Sequence, residues 1–91
     1  MKHTVFQFGL RLAGDQPVEL MKSVTESLKL IKGVDEAEGD LKQSSVTLRV
    51  HTSFEDAGAA KKLHRKIMTT LMKMDGVTIT RATSNLTDVF G

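Results

Sequence analysis

Thr4-Val5-Phe6-Gln7-Phe8-Gly9-Leu10-Arg11-Leu12 is the stretch that decides the fold. Phe6, Phe8, Leu10 and Leu12 fall on every second position, with Gln7, Gly9 and Arg11 between them and Val5 the one apolar exception. Period two over this length predicts a strand with one buried face. Ala13-Gly14-Asp15-Gln16-Pro17 then breaks the strand. Asp15 is placed to cap a helix, and Pro17 suits its first turn, where no amide donor is needed.

Downstream, Met21, Val24, Leu28 and Ile31 recur at helical spacing, the buried stripe of a helix running to about Lys32. Val18, Leu20 and Leu30 are expected to widen that stripe, and Gly33 to stop the helix. Residues 34–41 predict a weaker strand, with Val34, Ala37 and Leu41 inward and Glu36, Glu38 and Asp40 outward. Dense charge on weak strand formers suits a sheet edge, where it discourages unwanted pairing. A turn at Lys42-Gln43-Ser44-Ser45 sets Leu41 opposite Val46, Glu38 opposite Arg49 and Glu36 opposite His51. Val46, Leu48 and Val50 alternate with Thr47, Arg49 and His51 in a third strand. Ser53, with Asp56 three residues on, resembles a capping box. A second helix then runs to about Met74 on a stripe of Ala60, Leu63, Ile67, Leu71 and Met74, and Gly76 ends it. Residues 77–82 predict the last strand, and 84–91 a tail whose Leu86, Val89 and Phe90 are expected to dock on the body.

The order βαββαβ over residues 1–91 predicts one α+β domain of the ferredoxin-like type. Its antiparallel sheet takes the order 4-1-3-2, with two helices on one face and the other face bare. Phe6, Phe8, Leu10, Val24, Leu28, Leu48, Val50, Leu63, Ile67 and Leu71 are the expected core. At 91 residues, 40% hydrophobic and 26% charged, the chain can fill one core and has the composition of a folded protein. The absence of cysteine excludes disulfides, thiolate zinc sites and cysteine nucleophiles. No apolar run reaches the ~20 residues that span a bilayer. The first residues turn polar at Gln7, unlike a secretory signal. A cytoplasmic protein with no membrane partner is expected.

Charge is segregated. Residues 61–73 carry Lys61, Lys62, Arg65, Lys66 and Lys73 and no acid, so +5, against 8 basic and 11 acidic residues elsewhere, so −3. Asp35, Glu36, Glu38 and Asp40 supply four of those acids. A basic helix face and an acidic edge follow. The three histidines offer less. The antiparallel pairing allows His3, His51 and Glu36 to converge on the bare face, a donor set zinc accepts, but solvated polar residues are the simpler reading. His64 sits in the basic helix as a half-exposed residue. No Ser-His-Asp arrangement follows from local spacing.

Several families share this layout. Gly33-Val34, Ala37, Leu41 and Val46-Thr47-Leu48 resemble the middle of heavy-metal-associated domains, but their Cys-x-x-Cys pair is replaced here by residues 13–17. Asp15-Gln16-Pro17-Val18-Glu19-Leu20 is similar to the helix start of ACT domains, which implies an amino-acid-sensing regulatory module; Val18 replaces the glycine that admits the ligand. The arginine-bearing phosphate loop of acylphosphatases has no counterpart in residues 12–18. RNA-recognition motifs stack bases on sheet aromatics, whereas Phe6 and Phe8 belong to the core and there is no Tyr or Trp.

The expectation is therefore a non-enzymatic interaction protein, without cofactor or metal. Its partner would be a protein or ribonucleoprotein complex, or nucleic acid met through direct phosphate contacts. Lys61, Lys62, Arg65, Lys66 and Lys73 are the candidate partner-binding residues. In type, though in no motif, the chain resembles phage-encoded inhibitors of bacterial defence such as anti-CRISPR proteins, which implies a steric block. The alternative is the ACT-like ligand sensor.

Overall fold

The structure is a computed structural model that describes residues 2–43 and 45–84. The docking expected of Leu86, Val89 and Phe90 lies outside them. The elements are β1 (Lys2–Leu12), α1 (Pro17–Lys29), β2 (Val34–Lys42), β3 (Ser45–Phe54), α2 (Ala57–Lys73) and β4 (Val77–Ser84). The strands form one antiparallel sheet in the order β2-β3-β1-β4, which read from the β4 edge is 4-1-3-2. Four antiparallel strands with two helices in this order are consistent with a ferredoxin-like fold.

The alternation in β1 does what its period demands: Phe6, Phe8, Leu10 and Leu12 are all buried. They join Leu48 and Val50 of β3, Val24 and Leu28 of α1, and Leu63, Ile67 and Leu71 of α2 in a single cluster. All ten residues expected in the core lie in it. Phe54 and Thr52 are buried as well; the Thr52 hydroxyl donates to the Thr4 carbonyl at 3.0 Å, so its burial leaves no polar group unsatisfied. The β2–β3 register sets Leu41 against Val46, Glu38 against Arg49 and Glu36 against His51, as expected.

Four local expectations are corrected. Val18 and Leu30 do not widen the α1 stripe; they are 63% and 88% exposed. At about 100° per residue both project some 120° from Val24, on the solvent side. The helix stops at Lys29, and Gly33 is not its cap. With φ of 102°, Gly33 instead turns the chain into β2, and its carbonyl accepts from the Ser53 amide at 2.9 Å. Gln16, not Asp15, stands at the α1 N-cap position, and no side chain caps it. Finally, β3 continues through Phe54, so Ser53 is a strand residue and the capping box does not form. Asp56 caps α2 alone, its Oδ1 accepting from the Ala59 amide at 2.8 Å.

Candidate anion-binding surface

α2 begins at the Asp56 cap and buries Ala60, Leu63, Ile67 and Leu71 along one stripe. That stripe dictates what the opposite side presents. At about 100° per residue, Lys61, Arg65, Thr69, Lys62, Lys73 and Lys66 fall in that order across an arc of roughly 140°. Met72 falls in the same arc and is 71% exposed. All five cations are exposed, and none has a carboxylate within 4.0 Å among the described residues. The structure thus brings the five expected residues together on one open surface.

The acids lie elsewhere. Glu36 on β2 takes Lys29 of α1 at 2.9 Å. That ammonium, followed by the Ala37 amide, holds the Glu36 carboxyl below the usual carboxylate range. Glu38 faces Arg49 in the register, yet its carboxylate reaches diagonally to His51 Nε2 at 3.1 Å. A bulge at Val34–Glu36 adds Asp35 to the strand. The Asp35 carboxylate accepts from the Ser53 hydroxyl, which also meets His3 Nδ1 at 2.8 Å.

These contacts correct the histidine expectations. Glu36 stands opposite His51, and His3 and His51 border one shallow depression, yet each of the three side chains is held by a different partner, and no group of three or more His, Asp or Glu among the described residues is placed to hold a metal ion. Conversely, sequence spacing missed the meeting of Ser53, His3 and Asp35, because the three come from three strands. The pairing of His3 with Ser53 follows from the β1–β3 register and was open to inference; the addition of Asp35 depends on the bulge and was not.

His64 lies on the flank of α2 and turns inward. Its ring stands T-shaped to Phe6 at 5.2 Å and stacks on Phe8 at 5.6 Å between centroids. Burial against these rings lowers its pKa, so it does not add a sixth charge to the basic surface at neutral pH.

No family model matches the chain, and no curated protein matches it. Among solved structures, a structural-genomics protein, YJCS, is similar over 91% of this chain and 96% of its own, with a TM-score of 0.61 and 12% identity. A likeness at that identity supports the α+β fold alone. None of these comparisons speaks for the phage-inhibitor resemblance. No helix among the described residues is long and apolar enough to cross a membrane.

Proposed function

We propose that this chain is an interaction protein whose α2 surface docks on a polyanion: a nucleic acid, free or within a ribonucleoprotein, or an acidic protein patch. One observation carries the reading. Five exposed cations share one helical arc with no counter-ion within reach among the described residues, while acids of the same chain gather on the β2 edge. Lys61, Lys62, Lys66 and Lys73 act as point charges, and Arg65 supplies a planar fork that grips two oxygens at once. The helix binds as a rigid strip and covers what it lies on, so inhibition of a competing partner would be steric.

The test is binding of labelled single-stranded and duplex DNA, RNA and polyglutamate at several salt concentrations. If four or five cations engage a duplex, the logarithm of affinity falls with the logarithm of salt at a slope of about −4. The double variant K62E/K66E keeps the fold and loses most of that slope. Equal affinity and equal slope in wild type and variant, for every polyanion, would overturn the proposal. Preference for polyglutamate over the nucleic acids would assign the partner to the acidic-protein class.

A further inference from the structure

The bare face of the sheet holds a second arrangement, independent of α2. Its strand registers align four residues in one transverse row: Asp40 of β2 pairs with Thr47 of β3, Thr47 with Gly9 of β1, and Gly9 with Arg81 of β4. An acid therefore stands at one end of the row and an arginine at the other, with a hydroxyl and a gap between them. All four residues line a shallow depression of about 560 Å³, which Thr80 and Lys42 also border.

The gap is built. β4 carries a bulge opposite Gly9 and Leu10, which leaves Thr80 unpaired and swings Arg81 against Gly9. A Cβ at Gly9 would lie 2.9 Å from Thr80 Oγ1 and 3.2 Å from Arg81 Cβ, so only glycine lets the bulge close over this row. Asp40, Lys42 and Arg81 are exposed and have no counter-ion within 4.0 Å among the described residues.

We infer that this row is a binding site for a small zwitterion, an amino acid or short peptide bearing one ammonium and one carboxylate. Three strand spacings set the Cα atoms of Asp40 and Arg81 roughly 14 Å apart. The long stem of the arginine and the short one of the aspartate close most of that distance and leave room for a ligand a few bonds long. Arg81 forks onto the carboxylate, Asp40 accepts from the ammonium, and Thr47 offers a hydroxyl at the middle. Lys42 makes the lining net positive, so the carboxylate end contributes more to holding the ligand. A ligand with one charged end satisfies one end of the row and leaves the other unpaired.

The experiment is amide chemical-shift titration of the full chain with glycine, 4-aminobutyrate, 6-aminohexanoate and glycylglycine, with acetate and butylamine as single-ended controls. The expected result is saturable shifts at Gly9, Thr47 and Thr80 for at least one zwitterion, with both controls weaker by about tenfold or more. Arg81→Gln and Asp40→Asn each weaken the preferred zwitterion, Arg81→Gln the more, whereas K62E/K66E leaves it unchanged. That last arm keeps this site and the α2 surface separable. Shifts with acetate equal to those with the zwitterions would overturn the inference, as would no shift at the row with any probe. Sedimentation as a dimer that Arg81→Gln dissociates would also overturn it, assigning the row to a contact between two copies.

Discussion

The two helices cover the same face of one sheet and treat charge in opposite ways. On α1, Glu19, Lys22, Glu26 and Lys29 alternate in sign at spacings of three and four, and Lys29 goes on to pair with Glu36 of β2. On α2, every charge from Lys61 to Lys73 is positive and none is paired within the described residues. Both helices bury an apolar stripe into the same core. The balanced helix shows that packing on this sheet does not require a uniform charge. The uniform charge of α2 is therefore not set by the fold, and the proposed polyanionic partner would account for it. The helices differ in anchorage too: α2 has the Asp56 cap and the His64 ring against two phenylalanines, whereas α1 starts on Pro17 without a side-chain cap.

The largest expected effect strikes the shared core. Phe8→Ala should cost about 3–5 kcal/mol, read as a fall in the urea midpoint at unchanged slope. Because Phe8 also carries the His64 stack, amide exchange should quicken more in α2 than in α1. Equal loosening of both helices would show that the ring stack contributes nothing particular to α2. Next come the caps. Asp56→Ala should cost about 1 kcal/mol, and Gln16→Asp should return a smaller gain by giving α1 the acceptor it lacks. Loss at one helix and gain at the other, both from thermal unfolding, would confirm that the two starts differ as described.

Much of this is legible without coordinates. Strict alternation in residues 4–12 and 46–50 and the helical stripes place most of the core, because burial of apolar area dominates and period reports it directly. The β2–β3 register follows from turn length and the same alternation. Apart from Val18 and Leu30, whose helical phase sets them on the solvent side, the errors fall where a single polar contact or one extra residue decides. Serine suits a helix cap, but pairing with His3 extends β3 through Ser53. The bulges at Val34–Glu36 and opposite Gly9 leave no periodic trace, and both re-aim polar side chains on the bare face. The α2 cations are legible because a helix face follows from spacing alone. The row from Asp40 to Arg81 is not, because it needs three registers and a bulge at once.

His64 sharpens the comparison through pH. Burial lowers its folded pKa below the ordinary 6.5, so over a window beneath that value the unfolded chain binds the extra proton. Stability is then complete above about pH 6.5, declines as the pH falls through the folded pKa, and levels off below it. Glu36, held below its ordinary 4.5, adds a loss of the same sign that begins only in stronger acid. Urea midpoints measured between pH 7.5 and 5 should therefore fall in the wild type and fall less in His64→Leu. An identical slope in both proteins would place the acid sensitivity elsewhere.

The smallest effect tests the premise of the functional reading. Lys62 and Lys66 stand one turn apart, a like-charge pair that costs α2 a few tenths of a kcal/mol. Lys62→Glu converts that repulsion to an attraction in the favoured orientation, acid before base, and adds a second neighbour in Arg65. The variant should gain about 0.5 kcal/mol in stability while losing polyanion affinity. The mirror change, Glu26→Lys, sets a third positive charge between Lys22 and Lys29 and should cost α1 about as much, because it imposes on the balanced helix the pattern that α2 carries. Opposite signs at the two helices would show that α2 carries its positive charge against its own stability, as the proposed binding role predicts. If Lys62→Glu brings no gain, the cations of α2 do not repel one another measurably. The missing acids would then need no partner to account for them.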